Sequence, residues 1–155
     1  MSSVILRTIK SRLSEIIQKP GGVTFEAAVA GSEAALATKP GPALELVAAK
    51  AAALEQLAER PALDAGEIEQ AYGLASEIVN VTGCLTLPVL FAVAYSLCEV
   101  LDHFRTAPFG HEAFRVHVQA LRLVLVGGGE GPAFDQMLEG LKTVKARVLS
   151  GKLGE

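Results

Sequence analysis

Apolar residues recur along this chain at intervals of three and four, the spacing of one helix face, and no stretch of strand length alternates with a period of two. Residues 3–18 predict an amphipathic helix with Ile5, Ile9, Leu13 and Ile16 on one stripe, closed by Pro20, Gly21 and Gly22. Thr24 can cap a second, Ala-rich helix over 25–38, which Lys39, Pro40, Gly41 and Pro42 break. A third helix is predicted over 43–59, with Val47, Ala51, Leu54 and Ala58 in register, and Arg60-Pro61 ends it. Asp64 reads as an N-cap with Glu67 three residues on, the spacing of a capping box, so a fourth helix should run to Thr82. Its expected buried stripe is Ile68, Tyr72, Ala75, Val79 and Thr82. Glu69, Gly73, Ser76 and Asn80 then share the opposite face.

Residues 83–87 read as a turn. Pro88 fits the first turn of the next helix, which should end near Phe104. Over 109–126 there are two apolar stripes. Phe109, Ala113, Val116, Ala120 and Leu123 form one; Phe114, Val118, Leu121 and Leu125 form the other. This helix is therefore expected to be covered on two sides. Residues 127–131 read as a flexible loop. Pro132 opens a last helix to 149, with Phe134, Met137, Leu138, Leu141, Val144 and Val148 facing inward, and residues 150–155 are expected to fray. Short connections between long helices favour antiparallel neighbours. The expected fold is all-α, an up-and-down helical bundle, with residues 1–155 forming one domain.

Composition agrees with that class. Half of the 155 residues are hydrophobic but only 5% are aromatic, and the apolar content is Ala, Leu and Val, which suits closely packed helices. The net charge is -3, and no basic cluster points to nucleic acid. The run from Ile78 to Cys98 carries no charge and is long enough to span a bilayer. Polar Asn80, Thr82, Gly83 and Thr86, then Pro88, interrupt it, and its flanks are the acidic Glu77 and Glu99. It is read as two buried helical segments joined by a turn. Val4, Ile5 and Leu6 are followed by Arg7 and Lys10, so no secretory leader is expected, and the chain reads as cytoplasmic.

Candidate chemistry is sparse. Cys84 and Cys98 lie in apolar surroundings and read as reduced core thiols. The glycines of 127–131 have neither the Lys-Ser/Thr of a phosphate loop nor a preceding strand. Among His103, His111 and His117, none has ligand spacing to a metal-binding partner. His117 reads as a boundary residue, and no histidine has a sequence neighbour that suggests nucleophilic catalysis. No cofactor, metal or enzymatic activity is expected.

One segment carries a resemblance. Residues 71–88, from Ala71-Tyr72-Gly73-Leu74-Ala75-Ser76 through Gly83 to Thr86-Leu87-Pro88, are followed by Ala94-Tyr95-Ser96-Leu97-Cys98-Glu99. This resembles the hairpin of the histidine-phosphotransfer (HPt) domain of bacterial two-component relays, in its alphaproteobacterial form. That family carries His-x-Leu-Lys-Gly on one helix, then a Gly-containing turn and a second apolar helix. Gly31-Ser32-Glu33-Ala34-Ala35-Leu36 and His117-Val118-Gln119-Ala120-Leu121-Arg122 extend the likeness to residues 24–149. The resemblance implies a four-helix core, with residues 1–22 as an extra N-terminal helix and linker.

The resemblance also places Ser76 where the family has its phosphoryl-accepting histidine, Val79 where it has Lys and Asn80 where it has Gly. A serine hydroxyl without a base is a poor nucleophile, so phosphotransfer is not expected. What remains is a docking face of Glu69, Tyr72, Gly73, Ser76, Asn80 and Gly83, for a response-regulator receiver domain or a histidine kinase. Two other readings follow from the same residues: a phosphotransferase that uses His117, and a structural protein that pairs two chains through the helix of residues 3–18.

Overall fold

The computed structural model describes residues 26–27, 40–85 and 87–151. Residues 26–27 are helical; the rest of the helices expected over 3–18 and 25–38, and the end of the tail, lie outside the described residues. Five further helices lie within the unit Leu36–Glu155: α1 (Pro40–Ala58), α2 (Ala65–Cys84), α3 (Pro88–Phe104), α4 (His111–Gly127) and α5 (Pro132–Leu149). There is no strand among the described residues. The fold is an all-α, up-and-down bundle. Helices α1 to α4 pack in a closed ring, each against the next and α1 against α4, and α5 lies over α3 and α4.

Local chemistry sets the helix ends. Helix α1 starts at Pro40 rather than residue 43, and Pro40 and Pro42 lie in its first turn, where a missing N–H leaves no intrahelical bond unmade. At α2 the capping box is complete: the Asp64 carboxylate accepts from the Glu67 N–H at 2.8 Å, and Glu67 accepts from the Asp64 N–H at 3.0 Å. Asp64→Ala is expected to cost about 1 kcal/mol, read as a lowered urea midpoint with an unchanged slope. Helix α2 runs two residues beyond the expected Thr82, so Gly83 is helical rather than part of the turn. Helix α4 starts at His111 rather than residue 109. Phe109 stays in the connection, edge-on to Phe104 at 5.2 Å and 5.7 Å from Phe114. Gly128 closes α4 in the left-handed region at φ 77° and gives its N–H to the Val124 carbonyl.

The uncharged run of 78–98 is the end of α2 and most of α3. Helix α3 packs against α2, α4 and α5, and it buries Leu90, Val93, Ala94, Leu97, Val100, Leu101 and Phe104. No helix among the described residues is long and apolar enough to cross a membrane. The expected α1 stripe is buried in full, with Leu57 added.

Three expectations about faces are corrected. Helix α2 buries Ile68, Ala71, Ala75, Ile78 and Thr82, so Tyr72 and Val79 move to the half-buried edge. Helix α4 is covered on one broad face only, by way of Ala113, Phe114, His117, Val118, Ala120, Leu121 and Val124. Val116 and Leu123 are 37% and 59% exposed, because the inward row passes through His117 and Val124 instead. On α5, only Leu141 and Val148 are fully buried, while Phe134, Met137, Leu138 and Val144 are half-buried, as befits a helix laid on the outside of a ring.

Candidate functional site

The rotation of α2 changes the geometry of the expected docking face. With Ala71, Ala75 and Ile78 inward, Ser76 lies on the flank of the helix rather than directly opposite the core. That flank borders α3. At its N-terminal end, the Arg105 guanidinium grips both Glu69 oxygens at 2.6–2.8 Å and also bonds Asp102 at 3.1 Å. The same guanidinium sits 4.4 Å from the centroid of the Tyr72 ring, a cation–π contact. Glu69 and Tyr72 are therefore engaged within the chain, tying the start of α2 to the end of α3.

Further along, the flank opens. Gly73 and Ser76 are half-buried, and Asn80 and Gly83 are exposed. Neither Ser76 nor Asn80 makes a side-chain hydrogen bond among the described residues. Among the described residues no base bonds the Ser76 hydroxyl, and half-buried Val79 adds no charge beside it. Gly83 lies against Phe91, whose ring would stand 3.5 Å from a Cβ at that position. Phe91 stacks on Tyr95 at 5.9 Å with an interplanar angle of 16°. Both rings are partly exposed, Tyr95 by 51%. The α2/α3 seam thus runs from an ionic clamp, through short polar side chains, to an aromatic pair. On the other flank of α2, Lys50 of α1 pairs with Glu77.

A second polar group lies inside the bundle, and His117 is at its centre. His117 is fully buried, not a boundary residue. Its Nδ1–H donates to the Ala113 carbonyl at 2.8 Å, which in the neutral ring leaves Nε2 free to accept from the Ser96 hydroxyl at 3.1 Å. Ser96 is itself buried on α3. The pair satisfies its own polar atoms, and no buried side-chain nitrogen or oxygen is left without a partner among the described residues. Nearby, Lys145 of α5 bonds Glu99 of α3 at 2.7 Å. Twenty-one positions separate Ser96 from His117. Local spacing therefore carries no sign of the pair; an isolated polar position within an apolar row is the one signal available.

Burial pushes the His117 pKa below its ordinary 6.5, and the Lys145 ammonium adds to this; the bond to Ala113 acts the other way. Above pH 6.5 the ring is neutral in folded and unfolded chains alike. Below it, the unfolded chain takes up the proton first. Stability should therefore fall as pH drops from 6.5 through the folded value. Urea midpoints over that range would show it, and a folded His117→Gln variant should have a shallower slope.

The two thiols differ from expectation and from each other. Cys84 is exposed at the end of α2 rather than in the core. Cys98 is half-buried, and desolvation, with Glu99 beside it, pushes its pKa up to about 11, so it stays a protonated thiol at neutral pH. No group of three or more His, Cys, Asp or Glu among the described residues could hold a metal ion. No family model, curated protein or solved structure matches the chain.

Proposed function

We propose that this chain is an HPt-like signalling protein that docks the receiver domain of a response regulator without carrying phosphate. The observation that supports this reading best is the α2 flank at Gly73, Ser76 and Asn80. It combines short side chains, accessible polar groups with no side-chain hydrogen bond among the described residues, and a hydroxyl with no base beside it among them. Short side chains let another backbone approach closely, and unpaired polar groups can be satisfied by a partner at little desolvation cost. The exposed Phe91–Tyr95 pair at the end of the seam adds the aromatic anchor that interfaces favour.

Phosphotransfer through His117 finds no support in the geometry. An imidazole that attacks an aspartyl phosphate needs a free, accessible nitrogen, whereas both nitrogens of His117 are hydrogen-bonded inside the bundle. A histidine kinase would present a different surface to the same flank, and competition between the two partners distinguishes them.

The test is to incubate the chain with phosphorylated receiver domains of its own organism. The reading expects a complex with one or more receivers and no acid-labile phosphoryl group on the chain. Acid-labile label on the chain, or no complex with any receiver, contradicts it.

A further inference from the structure

The glycine-rich connection of 127–131 does more than join α4 to α5, because it walls a cavity at one end of the bundle. The cavity holds about 280 Å³ between the heads of α1 and α3 and the tail of α4. Leu44, Leu87, Val89, Val124 and Leu125 make it apolar. Two residues of the connection lie in the left-handed region, Gly128 at φ 77° and Gly129 at φ 73°. A Cβ at Gly129 would stand 3.1 Å from Val124 and 3.3 Å from Val89, so glycine lets the connection press against both helices and close that side. Glu130 follows, and it is the one charged group among the described residues that line the cavity. Its carboxylate is exposed and has no ion pair or hydrogen bond among the described residues. The C-terminal end of α4 beside it carries the negative end of a helix dipole. Pro88, at the head of α3, brings no N–H to the cavity.

We propose that this cavity binds a small primary amine whose body is one ring or one branched alkyl group. The ammonium meets the Glu130 carboxylate, and the apolar body lies against Leu44, Val124 and Leu125. An apolar enclosure with a single polar anchor is the usual make-up of a small-molecule site. The charge of the anchor selects the ligand: an alcohol of the same shape forgoes the ion pair, and a carboxylate sets like charges together. The volume sets the size, since about 280 Å³ falls just below the roughly 300–1,000 Å³ that holds drug-sized molecules. The proposal is independent of receiver docking, which uses the α2 flank.

The test is to titrate the isotope-labelled full chain with phenethylamine at neutral pH and low salt, following backbone amide shifts by NMR. Phenethyl alcohol and hydrocinnamate, of the same shape but neutral and anionic, are titrated beside it. Phenethylamine should bind with a Kd of about 1 mM or tighter, within the per-atom range of small ligands. It should move the amides of Leu44, Val89, Leu125, Gly129 and Glu130. The alcohol should bind about two- to fivefold more weakly, the range of one solvent-exposed ion pair, and hydrocinnamate more weakly than the alcohol. Glu130→Gln, at an exposed position, should bring the amine down to the affinity of the alcohol. Leu44→Lys, at a position 36% exposed, sets a second positive charge at the cavity and should weaken the amine more than the alcohol. No shifts at about 10 mM amine, tenfold above that Kd, or shifts centred away from the cavity, overturn the proposal. Equal affinity for amine and alcohol overturns it too, and so does unchanged amine binding in Glu130→Gln. The comparison of the three probes uses the unaltered chain, so it decides even where a variant does not fold.

Discussion

Replacing Phe114 with alanine is expected to destabilise the bundle by about 3–5 kcal/mol, the cost of a large cavity in a packed core. Phe114 is fully buried on α4 and is among the largest side chains enclosed in the bundle. Its ring packs 5.7 Å from Phe109, which in turn meets Phe104 at the end of α3. The three rings close the connection between α3 and α4, so truncation removes both area and an aromatic contact. A domain of this size has about 5–15 kcal/mol of stability in total, so the variant should be unfolded at a much lower urea concentration. Val126→Ala on the same helix is the control: Val126 is 84% exposed, and the change should stay within about 0.5 kcal/mol. A cost for Phe114→Ala no larger than the control would contradict the described core.

The second large effect is on binding. Gly73→Arg should weaken receiver docking by at least about 2 kcal/mol, roughly thirtyfold in Kd, as expected for a side chain forced into the centre of an interface. The position suits the test because the fold should tolerate it. A Cβ at Gly73 meets nothing within 4 Å, and replacing a mid-helix glycine favours the helix by up to about 1 kcal/mol. Lost affinity could then not be blamed on lost structure. Gln119→Arg, at an exposed position of α4 whose side chain makes no hydrogen bond among the described residues, serves as a charge-changing control and should leave docking intact. Isothermal titration of both variants against a receiver that binds the unaltered chain separates the outcomes. Equal affinity for Gly73→Arg and the unaltered chain removes the α2 flank from the interface.

Much of the bundle is legible in the sequence because helix periodicity and helix-end chemistry are local. The Asp64–Glu67 box, Pro88 at the head of α3 and the α1 stripe need only neighbours within four residues. The errors have physical reasons too. On α2, Tyr72 and Val79 look like better core residues than Ala71 and Ile78 taken together. Tyr72 is instead drawn to the edge, where Arg105 covers its ring from 33 positions away in the chain. On α4, an apolar stripe through Val116 and Leu123 competes with one through His117 and Val124. The second is buried because Ser96 satisfies the imidazole, and no local pattern announces that partner. The two proline residues at 40 and 42 signal a stop or a start equally well, and direction is decided by the helix that follows. Placement of Glu69, Gly73, Ser76, Asn80 and Gly83 along one side of α2 survives the rotation, since residues on a common face turn together. Their accessibility does not follow from spacing: it depends on how α3 packs beside them.

The central claim is that a receiver domain meets this chain on the α2 flank beside α3. Titrating isotope-labelled chain with an unlabelled receiver, and following backbone amide shifts by NMR, tests it most directly. The account predicts the largest shifts at Gly73, Ser76, Asn80, Gly83 and Phe91, with α1 and the outer side of α4 unmoved. Shifts concentrated on α1, α4 or α5, or no shifts with any receiver of the organism, would contradict it.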